Sequence, residues 1–229
     1  MFDTGPIISL TTNNLLGLLS NLKEKYKGNF YITHSIRREL IERPLETKKF
    51  KFEALQVLRC IHANILEVFE SKELRKKTFH LLDIANNCFK ADGNFIRIVH
   101  FAEINGIAAA ILNNAEAFVV DERNTRLLIE DPIRLKEILS KKLHTSVAVN
   151  KKRLNEFKEL TKGIKLIRSV ELVSVAYELG LLDKYLVNIP NAKRTLLEAV
   201  LWGVKLNGCS VSEKEIREIV RMEVNKNLK

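Results

Sequence analysis

Three short apolar runs, "FYIT" at 30–33, "AFVV" at 117–120 and "IKLI" at 164–167, are each followed by a stretch with helical spacing. Strands too short to stand alone, joined through amphipathic helices, predict an α/β fold around a mostly parallel sheet. The opening "MFDTGPIISL" fits the same scheme. It reads as a buried strand ending on Asp3, a turn at Thr4-Gly5-Pro6, and then a helical pattern through Leu10, Leu15, Leu16, Leu18, Leu19 and Leu22. A carboxylate at the end of a buried strand is costly unless something pairs with it, so Asp3 asks for a partner elsewhere in the chain.

The remaining pattern is largely helical. After "FYIT", a helix capped by Thr33 or Ser35 is predicted to stop near Pro44. Amphipathic helices are predicted over 51–69 and 72–90, a loop at "KADGNF", an Ala-rich helix over 101–112, and helices over 132–143 and at "RLNEFKEL", with "TSVAV" between them extended. Beyond "IKLI", a helix over 170–179 ends at Gly180. A second has an Asn191 cap and a Gly208 stop, and a third opens on a Ser212/Glu215 capping box. These readings divide the 229 residues into an α/β domain over 1–169, with a helical insertion at about 50–95, and a helical extension over 170–229 packed on the same core.

The acids fall at telling places on that skeleton. In a parallel α/β sheet, sites form where strands end and helices begin. Asp3 closes the first strand and Asp121 closes "AFVV", while Glu39 and Glu103 sit within the first turns of the helices after "FYIT" and at 101–112. Each has a structural reading of its own: glutamates suit helix N-termini, and aspartates form turns at strand ends. Together they place four carboxylates at one edge. Two such charges about 4 Å apart repel by roughly 4 kcal/mol at an effective dielectric near 20, so either their pKa values rise or a cation sits among them. All-oxygen ligation suits Mg²⁺ or Mn²⁺ rather than zinc, and such ions assist phosphodiester cleavage. The small side chains Ala108, Ala109 and Ala110 let their helix pack closely on the sheet, and Glu42, Glu116 and Glu122 read as solvated surface charges.

In this order and spacing, "FDTGPIISL", "ITHSIRREL" and "FAEINGIAAAILNNAEAFVVDERNTR", with 18 residues from Glu103 to Asp121, resemble the motifs of the PIN-domain family of metal-dependent nucleases. The resemblance covers residues 1–130 and reaches "IRSVELVSVAYELGLL", similar to a late strand-to-helix segment of archaeal-type members. It implies a three-layer α/β/α sandwich with a mostly parallel central sheet, plus extra helices. It implies an endoribonuclease that cleaves RNA phosphodiester bonds with Mg²⁺ or Mn²⁺ held by Asp3, Glu39, Glu103 and Asp121. Thr4, Asn124, Thr125 and Ser169 fall where secondary polar contacts are expected, although Ser169 also reads as a helix cap. Two of the four acids are Glu, which reaches further than Asp. The insertion and the long C-terminal extension argue against a minimal toxin of a toxin–antitoxin pair. The alternative is a non-catalytic RNA-binding or assembly module of the same fold, with the C-terminal helices offering a face to a protein partner or a homodimer.

Charge points the same way without deciding it. A net charge of +10 favours polyanionic partners such as RNA, although Lys- and Glu-rich surfaces are common in heat-adapted proteins. No run approaches the roughly 20 apolar residues of a membrane span, and no signal segment is apparent. Cys60, Cys88 and Cys209 fit no metal or disulfide pattern and read as buried hydrophobes in a reducing cytoplasm. His34, His62, His80, His100 and His144 form no ligand pair, and Trp202 reads as core. His100, three residues before Glu103, is within reach of the acid edge, but a structural role is the stronger reading.

Overall fold

The computed structural model describes residues 1–226. Helix α1 (Thr4–Thr12) starts directly after Asp3, whose extended backbone forms its N-cap, so the expected turn at Thr4-Gly5-Pro6 is instead the first helical turn. Proline fits there because first-turn N–H groups have no partner within the helix. Helix α2 (Leu18–Tyr26) leads to β1 (Phe30–Thr33). Thr33 Oγ1 accepts the Ile36 N–H at 3.4 Å and caps α3 (His34–Arg37). A π-helical turn over Arg38–Glu42 carries the chain into α4 (Arg43–Glu46), so the helix takes in Pro44 and ends two residues beyond it.

Helix α5 (Lys51–His62) is shorter than its apolar spacing predicts. The chain reverses at Asn64, with φ +53°, and "LEVF" becomes strand β2 (Leu66–Phe69). Helix α6 (Leu74–Asn86) likewise ends early, giving way to β3 (Phe89–Ala91). The expected loop is a tight hairpin through Asp92 and Gly93, both at positive φ, into β4 (Asn94–Phe95). There follow α7 (Phe101–Leu112), β5 (Ala117–Val119), α8 (Arg123–Glu130), α9 (Pro132–Leu143), β6 (Val147–Val149), α10 (Lys151–Leu160), β7 (Lys165–Ile167) and α11 (Ser169–Glu178). Helices α12 (Ala192–Leu206) and α13 (Glu213–Lys226) are the last elements of the described residues; Asn191 precedes α12 in a left-handed conformation and makes no side-chain cap. The Ser212/Glu215 capping box is present at the start of α13.

Strands β1 and β2 pair in parallel, as do β5 and β7. Residues 1–3 join the two pairs. Phe2 N–H donates to the Tyr31 carbonyl at 2.8 Å, Asp3 N–H to Val119 at 2.9 Å, and Val119 N–H to Met1 at 2.8 Å. The parallel segments therefore lie in the order β2, β1, residues 1–3, β5, β7. Strands β4, β3 and β6 form a separate antiparallel sheet.

Apolar packing covers both faces of the parallel segments. Successive residues of a strand point to opposite faces. Val119 belongs to a core with α1, α2 and α11–α13 (Leu10, Leu19, Val173, Leu201, Ile216), and Phe118 and Val120 to another with α6–α10 (Ile84, Ile107, Leu128, Phe157). Helix α7 reaches the sheet closely: Ala108, Ala109 and Ala110 are buried, and a Cβ added at Gly106 would stand 2.8 Å from the Phe118 ring. The C-terminal helices share the first core with the N-terminal ones. Among the described residues no helix is long and apolar enough to cross a membrane.

Candidate active site

Asp3 is buried, 6 % exposed, at the junction of residues 1–3 and α1. Burial pushes its carboxyl up to about 7; the Thr4 N–H pulls it down, and repulsion from Glu103, Glu39 and Asp121 adds to the rise. Asp3 thus feels the charge of the other three acids expected at that edge. Among the described residues none of the four forms an ion pair, in a protein with 38 Lys and Arg.

Each neighbour of Asp3 is held by local chemistry. Glu39 lies on the π-helical turn, and its Oε2 accepts the Thr4 hydroxyl at 2.8 Å. Glu103 is the third residue of α7, and its Oε2 accepts the His100 N–H at 2.9 Å, a cap of the helix, and the Thr125 hydroxyl at 3.3 Å. Burial raises the Glu103 pKa, His100 N–H opposes the rise, and Glu122 adds to it. Glu122 is therefore not a mere surface charge: half-buried, it caps α8 by accepting the Thr125 N–H at 2.7 Å.

Asp121 is the most firmly fixed. Its Oδ1 accepts the Ser169 N–H at 2.7 Å, and its Oδ2 accepts the hydroxyls of Ser169 at 2.5 Å and Ser9 at 3.3 Å. The Cys209 thiol also donates to it, and burial pushes that thiol's pKa up. Ser169 is the first residue of α11 and follows its N-cap, Arg168, so its hydroxyl serves Asp121 instead of capping the helix. Thr4 and Thr125 contact the acids as expected, whereas no side-chain hydrogen bond joins Asn124 to them among the described residues.

Sequence reasoning missed Ser9, the 207–211 segment and Arg168. Ser9 Oγ also donates to the Asn207 carbonyl at 3.3 Å, Ser210 N–H donates to the Asp121 carbonyl at 3.2 Å, and Arg123 Nε donates to Ser210 Oγ at 3.1 Å. Arg168 is 9 % exposed; it pairs with Glu171, with Glu215 at 3.0 Å, and with the Ser210 carbonyl at 2.9 Å. Its one sequence signal was the spacing Arg168-x-x-Glu171 at a helix start, which the hydrogen bond from Arg168 N–H to Glu171 at 2.7 Å realises.

Among the described residues, no three His, Cys, Asp or Glu side chains stand close enough together to hold a metal ion. The donors are nonetheless carboxylate oxygens without cationic partners, which is the chemistry that takes a hard divalent cation. No family model matches the chain, and no curated protein or solved structure matches it significantly.

Proposed function

We propose that this chain is a divalent-cation-dependent endoribonuclease of the PIN-domain kind, built as a three-layer α/β/α sandwich with extra helices. The observation that carries the reading is Asp3, a buried carboxyl with no cationic partner that feels three further carboxylates brought from separate segments. The order β2, β1, residues 1–3, β5, β7 supports it, because Asp3 and Asp121 then follow the carboxyl ends of neighbouring parallel segments. Asp3, Glu39, Glu103 and Asp121 would hold the ion. The fit rests on donor chemistry and unpaired charge, not on a preformed cage. A bound Mg²⁺ or Mn²⁺ would neutralise these carboxylates and polarise the phosphodiester and its attacking water.

The chain's own groups have distinct tasks in this reading. Ser169 and Ser9 fix Asp121, Thr4 orients Glu39, and Thr125 and the His100 N–H orient Glu103. Asp3, near neutrality in its pKa, can hold or release a proton at working pH. The net charge of +10 draws the RNA backbone.

The test is cleavage of a mixed RNA pool with Mn²⁺ or Mg²⁺. EDTA abolishes cutting, and Asp3→Asn lowers it at least a hundredfold, the scale of losing a positioned group. Cleavage indifferent to EDTA and to Asp3→Asn overturns the reading. One observation favours a second reading, a non-catalytic RNA-binding module: Asp121 and Glu103 already have structural hydrogen-bond donors, and no preformed metal group is present among the described residues. RNA retention without metal-dependent cutting decides for it.

A further inference from the structure

We propose that Phe79 and Phe101 form a platform on which an unpaired base of a single-stranded RNA stacks beside the acid cluster; this rests on the reading of the chain as an RNA-binding nuclease and names the form of its substrate. The two ring centroids are 5.4 Å apart with planes tilted by 56°. Phe79, in α6, is 51 % exposed, and neither ring belongs to either apolar core. The Arg75 guanidinium stands 5.8 Å from the centre of the Phe79 ring.

Charge selects the occupant. From Ser71 to Leu82 the chain carries four Lys and Arg, at Lys72, Arg75, Lys76 and Lys77, against one acid, Glu73. Arg97 and His100 add exposed basic groups on the approach to α7. An exposed ring, Phe79, backed by the half-buried Phe101 and set among cations suits the bases and phosphates of a single strand; a protein partner's apolar surface has no use for the cations, and a duplex keeps its bases stacked inside.

Position ties the platform to the acids. Phe101 and Glu103 are the first and third residues of α7, so one helix start carries both a platform ring and an acid of the cluster. A chain of side chains makes the region one body. Thr33 and Ser35 hydroxyls meet at 2.8 Å, Ser35 donates to Asn105 Oδ1 at 2.6 Å, and Asn105 Nδ2 donates to Thr78 Oγ1 at 2.9 Å. Thr78 and Phe79 are neighbours on α6, and Thr33 caps the helix that leads to Glu39.

The experiment measures fluorescence anisotropy of the full chain with labelled poly(U) and poly(A) single strands and with a duplex of equal length, in EDTA so that cleavage plays no part. Phe79→Ala weakens binding to both single strands by about 5- to 150-fold, the range of one lost base stack, and leaves duplex binding unchanged. Phe79→Trp restores single-strand binding, and Phe101→Ala, checked for an intact fold by thermal melting, weakens it similarly. Wild-type affinity in Phe79→Ala, equal losses on single strands and duplex, or no RNA binding by the wild type overturns the platform. Wild-type cleavage with Phe79→Ala binding unchanged leaves the nuclease reading standing and removes the platform. Platform-dependent binding without metal-dependent cleavage keeps the platform and removes the nuclease.

Discussion

Burying the Asp3 carboxyl costs the fold stability. Its carboxyl sits at about 7 when folded and near 3.8 in an unfolded chain. Between those values the unfolded state has released the proton that the folded state keeps, so stability falls as pH rises from about 4 to about 7 and is level above. The full shift corresponds to at most about 4 kcal/mol, because each pKa unit is worth about 1.4 kcal/mol. Asp3→Asn should therefore raise the melting temperature at pH 8, with the gain vanishing near pH 4. Mn²⁺ should stabilise the wild type and not this variant. A variant equally stabilised at both pH values would rule out buried ionisation as the cause.

At the scale of elements, two devices set the site. The π-helical turn over 38–42 puts an extra residue into the helix after β1, and it carries Glu39 to the Thr4 hydroxyl. Helix α7 brings Glu103 inward by lying close on β5 through Gly106. In a free helix, alanine for glycine gains about 1 kcal/mol. Here the new methyl meets the Phe118 ring, so Gly106→Ala should cost about 1–3 kcal/mol in urea unfolding, as overpacked cores do. A stabilised variant would show that α7 can withdraw from the sheet.

Over the whole molecule, the C-terminal helices are built into the site as well as the core. The 207–211 segment packs behind Asp121, and Arg168 binds it to α13 through Ser210 and Glu215. Burial works against the Glu215 charge, but Ser212 and Arg168 hold its carboxyl down at about 2. Arg168→Ala leaves two glutamates without a cation. A fully buried pair so broken loses about 3–5 kcal/mol, and since both glutamates stay half-open to water the loss should be about 2 kcal/mol. On the proposed nuclease reading, loss of RNA cleavage should accompany it, because Ser169, the next residue, holds Asp121. Unchanged stability with unchanged cleavage would count against this coupling.

What was legible in the amino-acid order is what local chemistry controls. Alternating apolar strands and helices followed from period, and the acids could be placed at strand ends and helix starts. The Ser212/Glu215 box and the Ala-rich helix followed from spacing alone. The tertiary structure decided the rest. Ile65 and Val68 satisfy a helical period, but pairing of Leu66–Phe69 with β1 made them part of a strand and its approach. Thr4-Gly5-Pro6 reads as a turn, yet the close junction of residues 1–3 with β5 starts a helix there. Ser9, Cys209 and Ser210 carry no local mark of a site; they reach Asp121 because packing brings together segments up to 112 residues apart, an encounter that no short window of sequence encodes.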